Sequence, residues 1–177
     1  MAGGDQQDKG LYENLSSPTS STSSVLTVAA IAASEGRSVI TIDIGCADIA
    51  PTGIQVHMRL DRVMTQMLMQ IDPTYQQYVE ADGSMVVQLD KALYGCVEAA
   101  ALWYADLRLK LEKDGFVANS YDACVLDKLG ADGVQITIAV HVDDLLVTSS
   151  SNDNLASLER YLLECVPSDI SPSGRRP

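Results

Sequence analysis

Residues 134–150 read VQITIAVHVDDLLVTSS, a stretch in which two adjacent carboxylates, Asp143 and Asp144, break an otherwise apolar and β-branched run from Ile136 to Val147. Burying an unpaired carboxylate is costly, so the doublet belongs at the tip of a hairpin joining two strands, where it meets solvent or a cation. A bare solvated turn is the plainer reading. Against it, an Asp-Asp turn lacks the glycine that favours two-residue hairpins. A bound cation accounts for both acids, and their hard oxygen ligands suit Mg²⁺.

A cation held this way calls for a third carboxylate. Asp43 closes the strand-like segment SVITID at residues 38–43 and stands where another β-branched run stops. An Asp in such a place also serves as a turn or cap residue. Acids at the ends of neighbouring strands are nonetheless the physical core of a palm-type polymerase site. There, carboxylates hold two magnesium ions that activate a primer 3′-hydroxyl and stabilise the pyrophosphate leaving group.

Three segments in order narrow the reading: TIDIGCA at 41–47, LDKALYGCVEAAALWY at 89–104 and AVHVDDLLVTSS at 139–150. Their sequence and separation resemble the reverse transcriptase of copia-type long-terminal-repeat retrotransposons, where D-V-K-T-A-F-L-N-G-like, L-K-K-A-L-Y-G-L-K-Q-A-P-R-A-W-like and Y-V-D-D motifs follow one another. The resemblance runs from about Ala2 to about Leu163. It implies an RNA-directed DNA polymerase that adds deoxynucleotides through two Mg²⁺ ions, with Mn²⁺ as a substitute. Asp43 and Asp143 would bridge the ions, Asp144 would be an accessory acid, and Ile44 would lend a backbone carbonyl. Nucleotide or template contacts would fall at Asp48, Lys91, Tyr94, Gly95 and His141, the last in the position of the Tyr of Y-V-D-D; by residue type alone Lys91 reads equally as a surface lysine and His141 more simply as a hydrogen-bonded strand residue. The implied partners are a primer–template and deoxynucleotides, with integrase and ribonuclease H domains in the parent element. The implied location is intracellular, in the cytoplasm or a virus-like particle.

The chain also departs from that pattern. Asp48 stands where the resemblance expects an aromatic residue that blocks a ribose 2′-hydroxyl, and Val97-Glu98-Ala99-Ala100-Ala101 replaces a block with two cations. The first residues look cut after the R-L-V element of the family, and no thumb, primer grip or ribonuclease H segment is recognisable. These features suggest a fragment that is inactive or weak alone. The alternative is a catalytically dead acidic domain, derived from such an element, that binds metal or another protein.

Composition sets the limits. The chain has 177 residues, 46% of them hydrophobic, enough for one domain. Its formal net charge of −12 repels a polyanion, whose binding rests on Lys and Arg. Cys46, Cys96, Cys124 and Cys165 form no C-x-x-C pair, which argues for reduced thiols rather than a zinc ribbon or disulfide scaffold. No apolar run is long enough to span a bilayer and no basic n-region opens the chain, so neither a membrane partner nor a secretory signal is expected.

Periodicity supplies the elements. Val25, Val28, Ala29, Ala32 and Ala33 follow a Ser/Thr cluster and precede Gly36, predicting a capped helix that feeds the strand with Asp43. GIQVHMRL at 53–60 alternates as a half-exposed strand, Asp61 caps a short helix through Met69, and MVVQL is a strand entered at Asp82-Gly83. Ala100, Trp103, Tyr104, Leu107 and Leu111 lie on one face of a helix ending at Gly115. A hairpin turning at 131–133 leads to the Asp143-Asp144 turn, and a final helix from about Asn152 to Cys165 packs Leu155, Leu158, Tyr161 and Leu162. The expected fold class is α/β (α+β): a palm-type antiparallel sheet backed by helices, with part of the fingers. Residues 1–19 read as a remnant of the fingers, 20–165 as palm with partial fingers and 166–177 as a disordered tail.

Overall fold

A computed structural model describes residues 8, 10, 17–44, 51–93, 96–165 and 170–176. The elements run α1 (Thr22–Glu35), β1 (Ser38–Ile44), β2 (Pro51–Leu60), α2 (Arg62–Ile71), a 3₁₀ helix (Pro73–Tyr78), β3 (Met85–Lys91) and α3 (Ala99–Lys113). They continue with β4 (Val117–Ala118), β5 (Val125–Leu129), β6 (Gln135–His141), β7 (Asp144–Ser149), α4 (Asn152–Cys165) and β8 (Ile170–Arg176). The main sheet has the order β4-β5-β6-β7-β1-β8, each pair antiparallel, and β2 with β3 forms a separate two-stranded sheet. The mixed α/β class expected from the sequence is the one observed.

Local chemistry explains the helix ends. The Ser21 hydroxyl accepts from the Ser24 N–H at the start of α1, and Gly36 closes the helix in the left-handed region at φ 65°, a conformation that glycine adopts without penalty. Asp61 caps α2 through the Met64 N–H. Past α3, Gly115 at φ 95° lets the Phe116 N–H return to the Leu111 carbonyl, so the helix stops as its sequence requires. Arg108–Glu112 and the half-buried Lys110–Asp106, pairs four residues apart, add a few tenths of a kcal/mol each to α3.

The sheet is covered on both faces, and this divides the alternating residues of its strands. One face carries Ile42 and Ile44 of β1, Ile136, Ile138 and Val140 of β6, and Leu145 and Val147 of β7. It packs against Trp103, Leu107 and Leu111 of α3 and Leu155, Leu158 and Leu162 of α4. The Tyr161 hydroxyl ties the two helices by donating to the Lys110 carbonyl at 2.8 Å. On the other face α1 seats Val28 against Val125 and Ala139, with Val25 and Leu146 beside them. Burial of this kind is worth about 25 cal/mol per Å² of apolar surface and is the main force holding the layers together.

Several details differ from the sequence reading. Helix α3 begins at Ala99, which is buried, while Ala100, read as part of the buried face, is exposed. The residues read as a structureless tail include 170–176, which run as an edge strand beside β1, with Ser171 opposite Asp43. The 3₁₀ helix and the two-residue β4 had no periodic signal to announce them. Among the described residues Cys96, Cys124 and Cys165 form no disulfide. Among the described residues no helix is long and apolar enough to cross a membrane.

Candidate active site

The hairpin joining β6 to β7 turns one residue earlier than the Asp-Asp turn read from the sequence. His141 pairs with Asp144, so the two loop residues are Val142 and Asp143, and Asp144 already belongs to β7. Val142 has φ 56° and is the one non-glycine at positive φ among the described residues. A positive φ at the first loop position alone is the type II′ signature, which normally takes glycine. A β-branched side chain held there is strained by on the order of 1–3 kcal/mol. Val142 is half exposed, so little packing is lost by removing it. We therefore expect Val142→Gly to raise stability by about 1 kcal/mol in urea or thermal unfolding, after the extra freedom glycine gives the unfolded chain is offset.

Register then sets the acids. Asp43 of β1 is the direct cross-strand partner of Asp144, and Asp144 is in turn the partner of His141. Directly opposite residues share a face with Cβ atoms about 4.5–5.5 Å apart. His141, Asp144 and Asp43 therefore form a row across β6, β7 and β1, all three exposed. Their chain neighbours Val140, Leu145 and Ile42 point the other way and are buried. The row lies beyond Ala139 and Leu146, where the cover of α1 ends. Asp143 is half-buried in the turn, and its carbonyl accepts the Ile44 N–H at 3.0 Å, which ties the hairpin tip to the end of β1.

The structure thus brings Asp43, Ile44, His141, Asp143 and Asp144 to one end of the main sheet. It does not bring Lys91 there. That residue ends β3 in the two-stranded sheet, exposed and opposite Pro51. Glu98, read as replacing a cation of the family block, is buried at the start of α3. Asp48, Tyr94 and Gly95 lie outside the described residues. The pairing of Asp144 rather than Asp143 with Asp43 was missed. The sequence does not decide it, since two-residue loops at 142–143 and at 143–144 both pair residues three apart, 141 with 144 or 142 with 145.

As donors, three carboxylates and a backbone carbonyl are the hard oxygen set that Mg²⁺ takes. As placed, no three His, Cys, Asp or Glu side chains among the described residues converge to hold a metal ion. A groove of about 490 Å³ lies elsewhere, between α1 and the β5–β6 part of the sheet, lined by Thr27, Val28, Arg37, Asp127, Gln135 and Thr137 among others. None of the clustered acids lines it, so the groove is not the acidic site.

The reverse transcriptase (RNA-dependent DNA polymerase) family matches residues 1–165. The chain is also similar to the Retrovirus-related Pol polyprotein from transposon TNT 1-94 of Nicotiana tabacum, at 25% identity over 157 residues. That alignment covers 88% of this chain and 11% of the tobacco protein, so the chain spans about a tenth of its relative's length. No solved structure matches it. With the family match extending over nearly the whole sequence, this chain belongs to the reverse transcriptase family.

Proposed function

We propose that the chain is the palm portion of an RNA-directed DNA polymerase of copia type, with Asp43, Asp143, Asp144 and the Ile44 carbonyl as the ligands of its Mg²⁺ ions. The observation that carries this reading is the meeting of Asp43 with the β6–β7 hairpin at one end of the sheet, across a long stretch of intervening sequence. Two bound ions would activate a primer 3′-hydroxyl and neutralise the leaving pyrophosphate. The chain's own part is to hold carboxylates on a rigid sheet, with Leu145 and Ile42 anchoring the strands beneath them. In this reading His141, on the same row, would meet a primer end or nucleotide. The remaining Pol domains and a primer–template are partners of the reading.

Titration with Mn²⁺, followed by calorimetry and by the electron spin resonance signal of the free ion, tests the ligand set. We expect weak binding that falls roughly tenfold, or about 1.4 kcal/mol, in Asp43→Asn and in Asp143→Asn. Without metal, Asp144→Asn is expected to stabilise the fold by about 0.2–1 kcal/mol at low salt, because like charges directly opposite on neighbouring strands repel. Equal Mn²⁺ affinities in wild type and variants would remove the metal site from this end of the sheet.

The net charge of −12 favours a second reading, an acidic domain of the same ancestry without turnover. Repulsion of the template opposes binding at every phosphate, and each missing charge-assisted contact forfeits about 1.5–3 kcal/mol. We expect no primer extension by the chain alone with Mn²⁺ and deoxynucleotides, and none after Asp48→Phe. Extension by the unmodified chain that vanishes in Asp143→Asn would establish a working polymerase.

A further inference from the structure

Helix α2 is built inside out. Its polar Thr65 is fully buried and its Leu68 and Met69 half-buried, whereas Val63, Met64, Met67 and Ile71 are 58%, 52%, 58% and 82% exposed. At 100° per residue these four occupy an arc of about 100° on the side away from Thr65. The 3₁₀ helix packed next to α2 adds Tyr78, 60% exposed. The larger apolar side of α2 is thus the exposed one, and an exposed apolar stripe of this kind marks a contact surface. Methionine side chains, flexible and polarizable, suit a surface that moulds itself to a partner helix.

The charge around the stripe selects the partner. Asp61 and Asp72 mark the two ends of α2, and Glu80 and Asp82 lie beside its first turn. Arg59 pairs with Asp82 at 2.6 Å and Glu80 at 3.3 Å, and Arg62 donates to the Asp82 carbonyl at 2.8 Å, so the four acids outnumber the two cations and the surroundings of the stripe stay negative. With a net charge of −12 over the whole chain, nucleic acid, an anionic membrane and a second copy are all repelled. An apolar stripe in an acidic frame is complementary to a helix with one apolar face and basic flanks. We propose that the outward face of α2 docks a basic amphipathic helix of another polypeptide.

The 177-residue chain is titrated with a fluorescent Leu/Lys amphipathic helix of about 18 residues, roughly five turns, and with a scrambled peptide of the same composition. The amphipathic peptide binds, more weakly at high salt, and Met64→Ser/Met67→Ser/Ile71→Ser loses at least about tenfold in affinity. The same substitutions lower the melting temperature only slightly, through the poorer helix propensity of Ser, because all three side chains are more than half exposed. A photoreactive version of the peptide, mapped by mass spectrometry to residues 62–71, gives the same answer independently of any variant's folding. Equal binding by the scrambled peptide, no loss in the triple variant, or cross-links elsewhere would overturn the proposal. So would a concentration-dependent dimer that the triple variant abolishes, or uptake of the chain by phosphatidylglycerol vesicles.

Discussion

Replacing Leu145 with Ala is expected to remove about 2–5 kcal/mol of stability, a large share of the 5–15 kcal/mol typical of a domain. Leu145 is fully buried and sits between Ile42 on β1 and Val140 on β6, its two cross-strand partners. Each of these three precedes or follows a member of the exposed row, Asp144, Asp43 and His141. Truncation opens a cavity directly beneath the acids, and the strands on either side relax only in part. The loss should therefore appear twice, as a lower urea midpoint with unchanged slope and as weaker Mn²⁺ binding. Leu129→Ala, at an exposed position on β5, serves as the control and should stay within about 0.5 kcal/mol of wild type. A Leu145 variant as stable as that control would mean that the hairpin is not packed on α3 and α4 as described.

The second large effect is expected at Asp122, which joins the start of α1 to the entry of β5. One carboxylate oxygen accepts the Ser21 N–H at 2.9 Å and the other the Cys124 N–H at 3.0 Å. Asp122→Ala leaves both donors to water and loosens the helix that covers the second face of the sheet, for a loss of about 1–3 kcal/mol. The hydrogen bond from the Ser24 hydroxyl, with help from the Ser21 and Cys124 N–H groups, holds the Asp122 carboxyl below its ordinary value. On acidification the unfolded chain takes up this proton first, near pH 3.9. The contribution of Asp122 is thus complete above that pH and drains away as pH falls through its lower folded value. Asp132, lowered by the Asn154 amide and the Val134 N–H, and Asp82, lowered by Ser84, act in the same direction. Asp122→Asn should flatten the acid limb of a stability–pH curve without abolishing it. An unaltered limb would show that the carboxylate is not bound to the start of α1.

The helices were legible because their signals are local. Ser21 and Gly36 bracket α1, Asp61 opens α2, and the spacing of Trp103, Tyr104, Leu107 and Leu111 predicts the buried face of α3. A cap or a 3.6-residue period depends only on neighbours within a turn or two, so it can be read before any tertiary contact is known. The 3₁₀ helix at Pro73–Tyr78 and the two residues of β4 escaped for the same reason. Segments that short carry no period, and β4 exists only because β5 is there to pair with it.

At the candidate site the sequence by itself named the candidates by type: acids interrupting apolar β-branched runs at Asp43 and at Asp143-Asp144, in an order that also marks the family. Tertiary structure alone decided how they meet. Shifting a strand by one residue exchanges its two faces, and the register of β7 is fixed by burying Leu145 and Val147 while Val142 takes the left-handed corner of the hairpin. That choice sets Asp144 opposite Asp43 and leaves Asp143 in the turn, tied to Ile44 through the backbone. The outward stripe of α2 is of the same kind. Its amphipathic residues are plain in the sequence, but a period shows only that a helix has faces, and the side that finds cover depends on what the rest of the chain places against it.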